Sequence, residues 1–157
     1  MKQINIALLR SFKPCYDPNR YLSEDWTGTA LDFLNIKEIP FHDRLWVLMR
    51  TDFVSEKLLR LFAVWCARQV QHLMKDERSL KALDVAEAFA NGAASQEELD
   101  AAWTAAWTAA RVAAWAAWDA ARAAGAAWAA AGDAAWDAQE NKLREMLIEG
   151  EKTGDVK

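Results

Sequence analysis

Glycine, proline and cysteine are scarce here: six, three and two residues in a chain of 157. Two thiols, Cys15 and Cys66, cannot build a disulfide framework, and so few prolines leave long stretches without an obligatory helix breaker. The only histidines are His42 and His72, and no pair among these four residues has zinc-finger spacing. Cys66 and His72 fall on different faces of a helix. They read as a buried thiol and separate histidines, with no metal and no cofactor expected. The chain has no phosphate-cradling glycine loop and no dinucleotide fingerprint. A cysteine–histidine nucleophile would need an oxyanion signature that is missing as well. No catalytic residue is assigned, and the chain reads as a non-enzyme.

Long uninterrupted apolar runs are also lacking. MKQINIALLR has too short an apolar stretch for a secretory leader, and no small-residue cleavage site precedes Lys13–Pro14. The alanine-rich stretch that follows residue 100 is interrupted by Arg111, Asp119, Arg122, Asp133 and Asp137. Each such charge costs about 2.5–3.5 kcal/mol at the centre of a membrane helix. A soluble, cytoplasmic chain without membrane contact is expected. The formal net charge of −4 and pI near 5.2 argue against direct nucleic-acid binding. The imbalance is local: residues 94–157 hold 11 acidic and 6 basic side chains, against 12 and 13 in residues 1–93.

What the chain does have is helical patterning. Residues 2–12 form a short amphipathic segment (Ile4, Leu8, Phe12) stopped by Pro14 and the Asp17–Pro18–Asn19 turn. Thr29 with Asp32 makes a capping-box variant for a short helix ending near Pro40. FHDRLWVLMR (41–50) predicts another, with Leu45, Trp46, Leu48 and Met49 inward. Ser55 caps a helix over 56–74 whose apolar residues recur at helical spacing. Ser79 is expected to cap 80–91, and Asn91–Gly92 to end it. SQEE (95–98) is a full capping box opening the alanine run. The polar runs His42–Asp43–Arg44 and Lys75–Asp76–Glu77–Arg78 read as solvated helix ends. No period-two run is long enough for a strand. The fold class is all-α: a compact bundle of short helices (1–92) packed on a long Ala/Trp-rich C-terminal helix or helical hairpin (95–149). Residues 1–150 are expected to form one domain, and 151–157 a disordered tail.

Six of the nine tryptophans lie within AAWTAAWTAARVAAWAAWDAARAAGAAWAAAGDAAWD, residues 101–137. On a helical wheel Trp103, Trp107, Trp118, Trp128 and Trp136 share one stripe, which Leu143 and Leu147 continue. Arg111, Asp119, Arg122, Asp133, Asp137, Glu140 and Arg144 form a narrow polar strip beside it, and alanine fills the rest. Such a wheel, narrow in polar residues and wide in apolar ones, predicts a helix covered on most sides. A near-repeat of eleven, residues 105–115 and then 116–126, stacks Trp107 with Trp118 and Arg111 with Arg122. An unbroken rod from 95 to 148 would be roughly 80 Å long, so either it folds back at Gly125 or Gly132, or another copy helps to cover it. Trp107, Arg111, Trp115, Asp119, Arg122, Asp133 and Asp137 are the expected partner-binding residues. Arginines one turn from tryptophans also suit a stacked nucleobase, so a binder that sequesters a nucleotide signal is the small-ligand alternative.

LLRLFAVWCARQVQHLMKDERSLKALDVAEAFANGAASQEEL (58–99), followed by an alanine-rich helix, resembles the immunity-protein-5-like family of bacterial toxin systems. The matching residues are Arg60, Leu61, Phe62, Ala63, Cys66, Ala67, Asp76, Arg78, Ala86, Phe89, Ala90 and Gly92. The resemblance implies an all-helical cytoplasmic protein that protects bacteria by binding a cognate toxin. Neutralisation of that toxin or effector by steric occlusion is expected, with the acidic C-terminal part suited to a basic protein partner such as a nuclease. Self-association is a further expectation from the long Ala/Trp helix. A phage or mobile-element protein that blocks a CRISPR-type host defence effector is the alternative of the same kind. The shared motif itself reads as core and caps, so no contact residue is carried over. Tryptophan stands where comparable alanine tails are blander.

Overall fold

A computed structural model describes residues 2–74, 76–106 and 125–157, apart from the side chains of Leu73 and of residues 125–133. The architecture is all-α with one minimal two-stranded sheet. In chain order it runs β1 (Ile4–Asn5), α1 (Ile6–Ser11), a 3-10 turn (Pro18–Arg20), β2 (Thr27–Gly28), α2 (Ala30–Leu34) and α3 (Phe41–Leu48). Next come α4 (Glu56–Gln69), a second 3-10 turn (Gln71–Leu73), α5 (Glu77–Ala90), α6 (96–106) and α7 (Gly125–Thr153).

Local capping chemistry sets many of these boundaries. Thr29 and Asp32 complete a reciprocal box, with Thr29 N–H donating to the Asp32 carboxylate at 2.8 Å and Asp32 N–H to Thr29 Oγ1 at 3.1 Å. Ser55 Oγ accepts from Leu58 N–H at 3.1 Å. Ser95 and Glu98 close the second box at 2.7 and 3.2 Å. After α5, Gly92 takes φ +75°, a left-handed conformation that glycine adopts without steric cost.

Four boundaries differ from the sequence reading. Ile4 and Asn5 leave the expected first helix to pair antiparallel with Gly28 and Thr27, and Asn5 caps α1 by accepting from Leu8 N–H at 2.9 Å. Helix α4 stops at Gln69, short of 74. Helix α5 starts at Glu77 because Asp76, ahead of Ser79, accepts from Arg78 N–H at 2.9 Å. The Arg78 side chain, and then that N–H, draw the Asp76 pKa down to about 2. Helix α7 runs unbroken through Gly132 and Asp133, so of the alternatives for the long helix a fold-back at Gly132 does not occur.

Contacts divide the chain into two compact units: 1–59 with 140–157, and 60–139. The divisions fall inside α4 and α7. In the second unit, Phe62 and Val64 are buried, Arg68 bridges Glu87 and Asp84 at 2.5 and 3.0 Å, and Arg60 lies 4.9 Å from the Phe89 ring.

The core of the first unit contains Ile4, Ile6, Leu34, Leu48, Phe53, Val54, Leu143 and Leu147, all almost fully buried. At its edge lies a charged cluster. Glu140, 8% exposed, was expected on the wet strip of the long helix but turns inward, because it shares a helix face with Leu143 and Leu147. Arg44, expected at a solvated helix end, is 3% exposed and donates to Glu140 Oε2 at 2.8 Å. It also donates to the Ile39 carbonyl at 2.9 Å and to that of Leu34, the last residue of α2. Lys37 and Arg144 pair with Glu140 Oε1, the latter at 3.2 Å. Burial, and after it the nearby Arg144, pull the Arg44 pKa below its ordinary value. With Arg44 inward, Trp46 turns outward at 44% exposed, against the expectation for that residue, while Leu48 is buried as expected.

The expected disordered tail is ordered. Helix α7 continues to Thr153, Val54 bridges a buried Val156, and Lys157 N–H donates to the Phe53 carbonyl at 2.7 Å. Gly150 permits this close approach, since a Cβ there would lie 2.8 Å from Leu58 and 2.9 Å from Val156.

Breaking a buried ion pair strands the remaining charge, so Glu140→Ala should cost about 3–5 kcal/mol in urea denaturation. Lys37→Ala, on the solvated side of the cluster, should cost less than about 1 kcal/mol. Equal losses would show that the cluster behaves as surface charge.

Candidate functional site

The sequence places the partner surface on Trp107, Arg111, Trp115, Asp119, Arg122, Asp133 and Asp137. The first five lie outside the described residues, and for Asp133 only the helical backbone is described. Asp137 is exposed on α7, as expected of the polar strip. Two tryptophans of the Ala/Trp segment have their side chains in the described parts. Trp103 on α6 is 62% exposed and Trp136 on α7 is 44% exposed. Around Trp136 every residue from 134 to 138 is exposed, including three alanines expected to be dry. The apolar stripe is therefore buried at Leu143 and Leu147 and open to water one to two turns earlier. Burial depends on what stands opposite the stripe, which the wheel of a single helix does not contain.

A second site was not anticipated. The first unit holds a half-open pocket of about 420 Å³. Its inner wall is apolar, formed by Leu9, Pro18, Leu22, Phe33, Ile39 and Val47. Its polar mouth combines Lys13, Cys15, Tyr16, His42 and Asp43, with Pro14, Tyr21 and Trp46 beside them.

The loop after α1 makes this mouth. Lys13 takes φ +54°, which turns the chain out of the helix and into Pro14. Asp17 then caps the 3-10 turn by accepting from Asn19 N–H at 3.0 Å. Arg10 ties the loop down, donating to Glu24 at 2.7 Å, to Asn19 at 2.5 Å and to Asp17 at 3.3 Å. The Asn19 N–H holds the Asp17 carboxyl below its usual pKa, and the Arg10 side chain does the same for Glu24. Tyr16 meets Tyr21 edge-on with centroids 5.4 Å apart. Its hydroxyl donates to Asp43 Oδ2 at 3.0 Å, while the other Asp43 oxygen lies 3.4 Å from His42 Nε2. Beyond Trp46, Arg50 lies 4.2 Å from the Phe12 ring and 4.5 Å from the Trp46 ring, an arrangement that holds this indole in place.

The cysteines and histidines separate accordingly. Cys15 and His42 both line the pocket mouth in the first unit, whereas Cys66 and His72 belong to the second. Among the described residues no group of three His, Cys, Asp or Glu side chains converges to hold a metal. No helix of the described residues is long and apolar enough to cross a membrane. The sequence signal for the pocket is the run Pro14–Cys15–Tyr16–Asp17–Pro18–Asn19–Arg20–Tyr21, a rigid turn carrying two aromatic rings. Sequence reading used it only as a helix stop. No protein-family model, curated protein or solved structure matches the chain.

Burial first, and then Asp43, raise the Tyr16 pKa above its ordinary value of 10.0. The unfolded chain therefore releases this proton at a pH where the folded chain keeps it. The associated stability is complete below pH 10 and is lost as pH rises above it. Tyr16→Phe should remove that part of the alkaline loss when urea midpoints are compared between pH 8 and 11. An unchanged alkaline slope would mean that the phenol titrates as in water.

Proposed function

We propose that the chain is a non-enzymatic, helical protein-binding module, an immunity-type inhibitor that neutralises a bacterial toxin or effector by covering its active surface. The observation that carries this reading is the exposure of Trp103 and Trp136, 62% and 44%, on helices whose neighbouring side chains are mostly alanine. Tryptophan is the residue most enriched among the energetic anchors of protein interfaces. Alanine around it lets a partner approach the backbone closely without displacing long side chains. Charge supports the same reading, since the acidic excess of residues 94–157 would speed encounter with a basic partner such as a nuclease.

The resemblance of residues 58–99 fits this proposal in a particular way. Phe62 is buried, Asp76 caps α5 and Gly92 ends it. These residues build the scaffold, and recognition would lie in the Ala/Trp segment, where the sequence departs from blander tails. A toxin family could then diversify against its inhibitor without disturbing the inhibitor's fold.

Co-expression with its cognate toxic effector should restore growth of a cell that the effector alone arrests. Trp103→Ala with Trp136→Ala should weaken binding of that effector at least roughly thirtyfold, the scale of one interface anchor. Because both indoles are exposed, the melting temperature should stay within about 2 °C of wild type. Full rescue and unchanged affinity in the double variant would remove the proposed surface.

A further inference from the structure

We infer that the pocket of the first unit is a binding site for a small aromatic monocarboxylate: a planar apolar ring system bearing one anionic arm. The inference is independent of the inhibitor reading, which rests on tryptophans of the second unit.

Shape and chemistry both point to this class. A half-enclosed space of about 420 Å³ lies within the range that holds small organic ligands, and such sites are mainly apolar with a few placed polar groups. Here the deep wall, with Leu9, Phe33, Ile39 and Val47, offers no charge to a ligand, and the Trp46 ring flanks the opening. A flat ring buried there gains both area and edge-on aromatic contact. The polar end of the ligand must then meet the mouth. Asp43 Oδ2 already accepts from Tyr16 Oη at 3.0 Å, and Oδ1 lies 3.4 Å from His42 Nε2, so the carboxylate of the site has neighbours within it. Lys13, by contrast, has no carboxylate within ion-pair distance among the described residues. Its left-handed backbone at φ +54° fixes the ammonium-bearing residue at the rim. Lys13 is thus the charged side chain of the mouth that lacks a counter-group among the described residues, and a ligand carboxylate supplies one. A protonated amine would have to share Asp43 with Tyr16 and would meet Lys13 across the opening.

Cys15 supplies a built-in reporter. It is exposed and lines the mouth, whereas Cys66 is half-buried with its thiol pKa pushed up by burial. Thiolate is the reactive form, so alkylation selects Cys15 over Cys66.

The test uses the full chain with 1-naphthaleneacetate and its neutral twin, 1-naphthaleneacetamide, followed by calorimetry and methyl NMR. The acid should bind one-to-one, shift the methyl signals of Leu9, Ile39 and Val47, and slow iodoacetamide labelling of Cys15 but not of Cys66. The amide should bind roughly three- to fivefold more weakly, the scale of one solvated ion pair, and Lys13→Met should abolish that difference. Absence of saturable binding, shifts confined to other residues, or equal affinity for acid and amide in the wild type would each overturn the assignment. A pocket that rejects both probes yet closes on a peptide side chain of a protein partner would also overturn it.

Discussion

A single carboxylate holds the first unit together. Glu140 lies in the interior edge of the fold, and its two oxygens answer Arg44, Lys37 and Arg144 at once. Arg44 in turn satisfies carbonyls at the end of α2 and in the loop behind it, groups that the short helix cannot satisfy itself. The guanidinium is thus both counter-charge and helix cap. Its burial fixes how α3 faces, since Arg44 inward places Trp46 outward beside the pocket. The floor of the pocket, the rotation of α3 and the seat of α7 all follow from where this one ion pair sits.

The same cluster explains why α7 changes character along its length. From Glu140 onward one face of the helix joins the core, with Leu143, Leu147 and Gly150 packed in turn. Before Glu140, residues 134–138 are exposed all round. No change in helical regularity marks the transition. A stripe of large apolar side chains is stable in either setting, because alanine keeps the backbone helical by intrinsic preference even where nothing covers it. That preference is what allows indoles to be presented on a firm scaffold rather than on a loop.

How much of this was readable depended on distance along the chain. Features decided within four residues were legible: the Thr29–Asp32 and Ser95–Glu98 boxes, the Ser55 cap and the Gly92 stop. Where two capping residues competed nearby, as Asp76 and Ser79 do, the choice turned on Arg78, whose pairing with Asp76 is also local but was read only as solvated charge. The Arg44–Glu140 pair joins residues 96 apart and no periodicity announces it. It also exchanged the apparent places of Arg44 and Trp46 on α3, since an arginine is counted as polar until its partner is known. The pocket draws on three separate segments, around 9–22, 33–39 and 42–47, so no single stretch of sequence contains it.

The arrangement of the first unit also sets an order of events during synthesis. Domains fold as their chains emerge from the ribosome, N-terminal parts first. Here Arg44 emerges long before its counter-ion, and Ser55 waits for Asp155, one hundred residues later. Until the late segment arrives, the guanidinium has only carbonyls to hold it, and Val54 and the Phe53 carbonyl lack the partners that Val156 and Lys157 will bring. Closing so long a loop is also slow. The segments that emerge first therefore present an apolar face that only the later segment completes.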